Sequence, residues 1–210
     1  MPPVTKYSTI RLNAIQNATM EPEYVKENLE EVLASVKAQE YHKVGVSNRG
    51  VPIYITADNK HYFALSAGES KQVHYFNKVQ HTSQPGIGAD LLIQTLVWKS
   101  PEADKYHFQG IAAEVMISFM LSDVKQIGSD ILQTKDGRRF WISLIEDCIE
   151  SSDPKLYVYV YDKRYSARQG GPKLLELTYK DDLENLSIWG SADDMKKVRL
   201  LISKTKLTSV

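Results

Sequence analysis

Apolar residues occupy both alternating faces of one stretch near the middle of the chain. Within 89–98, Leu91, Ile93, Thr95 and Val97 fall on one face, and Leu92, Gln94, Leu96 and Trp98 on the other. A strand of that kind lies centrally in a sheet and is covered on both sides. After a loop over 99–109, Ile111, Val115 and Phe119 form one helical row and Ala112, Met116 and Met120 the next. Only Glu114 and Ser118 break that surface, which predicts a largely buried helix over 110–121. A short strand over 125–130 comes next. The helix after it, about 136–151, places Phe140, Trp141, Leu144, Ile145, Cys148 and Ile149 on one amphipathic face. Residues 156–161 then alternate aliphatics with tyrosines, predicting a half-buried strand whose tyrosine face lines a cleft.

The flanking pattern is simpler. Residues 1–18 show little periodicity and read as an extended arm. Thr19 is a fitting cap for a helix with Glu21 and Glu23 in its first turn. Val25, Leu29, Val32, Leu33 and Val36 continue its stripe to about 39, as in many surface helices. Short strands then alternate with the turn sequences Asn48-Arg49-Gly50 and Asp58-Asn59-Lys60, and 61–65 with 72–80 reads as a hairpin. Gln84-Pro85-Gly86-Ile87-Gly88 breaks the chain before the central strand. Beyond a basic loop over 163–172, Leu174, Leu175 and Leu177 suggest a strand. Val198, Leu201 and Ile202 suggest a terminal helix over about 192–204. The expectation is one α/β (α+β) domain over 1–210, with a core at 41–180 and an N-terminal arm and helix at 1–40.

Composition narrows the class. The chain has 210 residues, 42% hydrophobic and 25% charged, with a formal net charge of zero, which argues against a general nucleic-acid binder. No apolar run is long enough to cross a membrane, and Met1-Pro2-Pro3 begins no signal peptide, so a cytoplasmic protein without a membrane partner is expected. Cys148 is the single cysteine; its place on an apolar helix face marks an inert core thiol. His42, His61, His74, His81 and His107 lack metal-ligand spacing, and no metal site is predicted. Lys196, Lys197, Arg199, Lys204 and Lys206 make the terminal helix basic, as a solvated face or a contact for nucleic acid or an acidic partner.

The first turn of the 110–121 helix has no bulky side chain at Gly110, Ala112 or Ala113. Free N–H groups there suit an anion, and the same glycine suits a tight turn into a core helix. The string His107-Phe108-Gln109-Gly110-Ile111-Ala112, set between the central strand and a buried helix, resembles the GNAT acyltransferase superfamily. The family pattern is Arg/Gln-x-x-Gly-x-Gly/Ala, and His107 stands at its first position. Ser129-Asp130, Gln133-Thr134, Gly137 and Trp141 are similar to a GNAT-like branch associated with bacteriophages. The resemblance covers about 62–162.

It implies a mixed, mostly antiparallel twisted sheet with a central parallel pair, flanked by helices. It further implies acetyl-CoA as cofactor and a primary amine of a small molecule or protein as acceptor. Backbone groups of Leu96, Val97 and Trp98 would hold the pantetheine arm, and those of Phe108, Gln109, Gly110, Ile111 and Ala112 the pyrophosphate, with His107 in the cation's place. Phe140 and Trp141 occupy the neighbourhood of the family's proton-donating tyrosine. Asp130 is then the candidate base or amine orienter, or else a turn residue, and Tyr157 and Tyr159 are reserve acids. Two functions follow: an acyl-CoA-dependent N-acetyltransferase, or a catalytically inactive binding protein of that fold. The latter would be phage-encoded and act on a host or virion protein in the host cytoplasm. Nothing in the sequence sets the oligomeric state.

Overall fold

A computed structural model of the chain describes residues 4–6, 23–66, 72–84, 87–100, 103, 108–130, 135–151, 156–165, 171–179 and 198–207. The fold is α+β, with mixed and mostly antiparallel strand pairing. The chain divides into two compact units. A hairpin unit contains the described residues of Val4–Val79 and Leu96–Phe119. An inserted-strand unit contains those of Gln80–Thr95 and Met120–Val210.

The hairpin unit begins with β1 (Val4–Lys6) and α1 (Glu23–Ala38) and continues through β2 (Tyr41–Val46), β3 (Pro52–Thr56), β4 (His61–Leu65) and β5 (Val73–Gln84). β2 to β5 form an antiparallel meander, and β6 (Gly88–Lys99) follows β5 in the strand order. The turn sequences between them are short enough to keep sequential strands adjacent. The α1 stripe lands as its spacing predicts: Val25, Leu29 and Val32 are buried against Phe63, Leu65, Val73, Phe76, Leu96 and Trp98, with Leu33 and Val36 at the margin. Phe76 and Trp98 stack with ring centres 5.5 Å apart. The expected cap Thr19 lies outside the described residues.

Beyond β6 the chain enters α2 (Ile111–Glu114), a π-helical segment Val115–Met120 and a closing turn α3 (Leu121–Asp123). Ile111, Val115, Met116, Met120 and Leu121 are buried. Phe119 is only half-buried, and its ring lies over Gly45 of β2, where a side chain would collide with it.

In the inserted-strand unit β6 pairs in parallel with β7 (Gln126–Ser129), Leu91 opposite Gln126 through Gln94 opposite Ser129. The helical run 111–123 connects them, the kind of crossover that a parallel pair needs. Then come α4 (Lys135–Glu150), β8 (Tyr157–Asp162), β9 (Lys173–Leu177) and β10 (Val198–Ser203), in strand order β6-β7-β10-β8-β9. Trp141, Leu144, Ile145 and Cys148 of α4 are buried, and α4 packs on β8 and β10. Phe140 and Ile149 are half-buried. Gly128 sits where chains close in. A Cβ there would lie 2.9 Å from both Ile93 Cδ1 and Leu201 Cδ2.

Two expectations are corrected. Val198–Ser203 is a strand, not part of a terminal helix over 192–204; residues 192–197 lie outside the described residues. Val198, Leu201 and Ile202 do fit a helical stripe, but Leu200 between them is buried too, as it must be in a strand covered on both faces. β8 is likewise not half-buried: Tyr159 and Tyr161 are 2% and 1% exposed, so its tyrosine face is core rather than cleft lining. Those tyrosines pack with Ile87, Leu91, Ile93 and Leu201.

His61 generates a testable consequence of this packing. Its Nε2 lies 3.1 Å from Asn28 Oδ1 of α1, and the residue is 1% exposed. Burial, reinforced by the Lys78 charge, pushes its pKa down to about 4. The folded chain therefore refuses a proton that the unfolded chain accepts between pH 6.5 and 4, and stability falls as pH drops through that window. Between pH 7.5 and 5 the loss from this residue should reach at most about 2 kcal/mol, because the Glu31 carboxylate 3.5 Å from the same Nε2 favours the protonated ring. Urea unfolding of the parent and His61→Gln at both pH values checks this; the variant should lose that share of the pH dependence.

Candidate functional site

In the hairpin unit the loop residues before α2 are held by local hydrogen bonds. Phe108 is buried with its ring centre 5.7 Å from that of His74, and Phe108 O accepts from Ile111 N–H at 3.3 Å. His74 Nδ1 is in turn 2.9 Å from Ser100 Oγ. Gly110 has φ 73° and ψ −3°, a left-handed conformation that other residues adopt only with strain. Among the described residues nothing lies within 4 Å of the place a Cβ would occupy on Gly110. Gln109 and Gly110 are exposed, Ile111 is buried and Ala112 is intermediate. His107 lies outside the described residues.

The β2–β3 turn reaches this loop. Arg49 Nη1 donates to Gln109 Oε1 at 3.1 Å, and Asn48 N–H donates to the Glu114 carboxylate. Arg49 thus sets a guanidinium beside the loop. Glu114 in the first helical turn sets a carboxylate there, favourable to the helix and unfavourable to an incoming anion. Sequence reasoning read Asn48-Arg49-Gly50 as turn chemistry alone. Sixty residues separate Arg49 from Gln109, and no local pattern could have joined them.

Leu96, Val97 and Trp98 are buried on β6. The end of that strand pairs in parallel with β1, Val4 opposite Val97, Thr5 opposite Trp98 and Lys6 opposite Lys99. The main chain expected to meet an extended ligand arm therefore carries a strand of the protein itself.

In the inserted-strand unit, Asp130 follows the last residue of β7 and is partly exposed. Leu201 lies opposite Gly128 and Arg199 opposite Tyr161, so the row that contains Asp130 continues through Arg199 to Tyr161. Tyr159 and Tyr157 belong to the next two rows along. Tyr157 is half-buried opposite Ser203. The Tyr159 hydroxyl accepts the Leu207 N–H at 2.9 Å, and burial raises its pKa. The structure thus brings Asp130 into one row with Tyr161 and with Arg199, which the sequence reading placed on a basic terminal helix and which lies instead half-buried on β10, and not with Tyr157 or Tyr159. Arg199 Nη1 donates to Ser129 O at 2.9 Å, and burial lowers the guanidinium pKa while the Asp130 charge opposes that shift. The signal was an arginine inside an otherwise apolar run, legible only once that run is read as a strand.

Trp141, in the neighbourhood expected to hold a proton donor, directs its indole N–H to Gln94 Oε1 at 3.1 Å. An indole N–H donates a hydrogen bond but does not serve as an acid near neutral pH. Burial pushes the Cys148 thiol up to about 12, leaving it unreactive. Among the described residues no three His, Cys, Asp or Glu side chains gather as a metal site, and no helix is long and apolar enough to cross a membrane.

The Gln94–Trp141 contact can be tested directly. Gln94 is 0% exposed, and Gln94→Leu would leave the indole N–H buried without that acceptor, at a cost of about 1–3 kcal/mol. Urea unfolding should register that loss, and Gln94→Leu in a Trp141→Phe background should cost less than in the parent.

Compared with protein-family models, curated proteins and solved structures, the chain matches none.

Proposed function

We propose that the chain is an acyl-CoA-dependent N-acetyltransferase acting on a primary amine of a small molecule or protein, on a GNAT-like fold. The carrying observation is the start of α2: an exposed Gly110 at φ 73°, with no described residue within 4 Å of its Cβ position, at the head of the helical run between the parallel strands β6 and β7. Helix-terminal N–H groups free of side-chain bulk favour a phosphate oxygen. In this reading Phe108, Gln109, Gly110, Ile111 and Ala112 receive the pyrophosphate of acetyl-CoA, with Arg49 supplying positive charge at the loop. The acceptor role falls to Asp130, whose carboxylate would orient the amine or accept its proton.

Two observations favour the second reading, an inactive binding protein of the same fold acting on a host or virion protein. The β1 strand already pairs with the Val97–Lys99 backbone, which an extended pantetheine arm would need. Trp141 also contributes no acid where a tyrosine would stand.

Gly110→Glu puts bulk and negative charge at the helix start. Calorimetric titration with acetyl-CoA should show binding to the parent and its loss in the variant, while the far-ultraviolet circular dichroism of the two agrees. Equal binding by a folded Gly110→Glu protein moves the site elsewhere; a parent inert to millimolar acetyl-CoA leaves the binding-protein reading. Asp130→Asn should reduce acetyl transfer to amines and leave acetyl-CoA binding intact, since the amide keeps the shape and loses the charge. Transfer unchanged by that substitution makes Asp130 a turn residue.

A further inference from the structure

The C-terminal end of β6 has two edges, and strands of the protein lie along both. β5 takes one, where Ser100 N–H, just past the end of β6, donates to His74 O at 2.8 Å. β1 takes the other in parallel, with Val4, Thr5 and Lys6 in register with Val97, Trp98 and Lys99. The β7 pairing does not reach this far, since its register ends at Gln94.

These two neighbours are not held alike. β5 and β6 are twelve residues each. Among the described strands β1 is the shortest, at three residues. So short a parallel pairing supplies only a few main-chain hydrogen bonds, and parallel pairs are the weaker kind per residue. The sequence also stops the ladder from growing, because Pro2 and Pro3 precede Val4 and have no N–H to give. A short strand at an edge opens locally while the rest of the sheet stays folded. Opening bares the main-chain groups of Val97–Lys99 on that edge, which then suit any extended chain that carries amides.

We propose that β1 is an autoinhibitory strand, which covers the main chain of Val97–Lys99 in the resting protein and gives way to the pantetheine arm of acetyl-CoA. The identity of that ligand rests on the transferase reading. A pantetheine arm bears amide groups along an extended chain, so it offers the kinds of donor and acceptor that β1 offers. The strand and the arm cannot share one edge. Acetyl-CoA then binds only the molecules in which β1 is open, and its apparent affinity is lowered by that fraction. Linkage requires the converse, that bound acetyl-CoA drives β1 off. The adenosine bisphosphate end of the cofactor stays outside the competition. A pairing that blocks the arm is thereby a brake on binding rather than a bar to it.

The test compares the full chain with a variant carrying both Val4→Pro and Thr5→Pro. Successive residues of a strand turn their N–H groups to opposite edges, so one of two adjacent prolines removes a donor aimed at β6. By calorimetry, acetyl-CoA should bind the variant about threefold or more tighter than the parent. The adenosine bisphosphate part of CoA, which lacks the arm, should bind both alike. Amide exchange in the ligand-free parent, followed by NMR and corrected for intrinsic rates, gives a reading that needs neither the cofactor nor the variant. The Val97–Lys99 amides turned toward β1 should exchange about tenfold or more faster than the Ser100 amide. Saturating acetyl-CoA should speed exchange at Val4–Lys6 and slow it at Val97–Lys99. Equal acetyl-CoA affinity in the two proteins, tighter adenosine bisphosphate binding in the variant, or Val97–Lys99 amides as slow as that of Ser100 overturns the inhibitory strand. Fast exchange there in a chain that binds no acetyl-CoA, with or without the prolines, keeps a displaceable strand but removes its ligand and the transferase. Acetyl-CoA binding indifferent to the prolines keeps the transferase reading and removes the brake.

Discussion

Four residues of parallel pairing, Leu91–Gln94 against Gln126–Ser129, constrain much of what surrounds them. Two strands can run parallel only if the chain travels back between them, and the run 111–123 lies on that path. The same pairing makes both strands central and buries the polar residues Gln94, Gln126 and Ser129, which reach partners on other elements. Gln94 answers to Trp141, Gln126 donates to Ile87 O at 3.0 Å, and Ser129 Oγ accepts Leu200 N–H at 3.0 Å. Gly128 leaves room for Ile93 and Leu201 to close over it. The polar residues in this pair act as ties between elements far apart in sequence.

Elements whose signal is local were legible in the sequence. The α1 stripe, the turn residues between β2 and β4, and the two-faced apolar run of β6 each depend on neighbours within a few positions. The place of β10 is a different kind of fact. Val198, Leu201 and Ile202 satisfy a helical spacing as well as they do a strand, and what decides is insertion between β7 and β8, thirty or more residues away. Tyrosines on β8 were misjudged for a related reason: alternation of polar-tipped and aliphatic side chains suggests one wet face, yet Tyr159 is buried with its hydroxyl tied to Leu207 N–H.

The candidate site divides along the same line. Gly110 and its small neighbours could be picked out because a left-handed residue at a helix start is a local requirement. Arg49 and Arg199 could not. Each acts through a residue some sixty or seventy positions distant, Gln109 and Ser129 respectively. Charge placed by tertiary contact leaves no periodic trace.

The π-helical segment Val115–Met120 has a consequence for how this chain tolerates change in length. A π turn holds more residues per unit of rise than an α turn. Loss of one residue within the segment could therefore be absorbed by closing it into a regular helix, with little change in the distance spanned. Four π steps turn the chain about as far as three α steps, so Phe119 and its successors would keep nearly their present facing relative to Ile111. The segment holds a spare residue, so a deletion there shortens the sequence without breaking the path from β6 to β7 or turning its far end away.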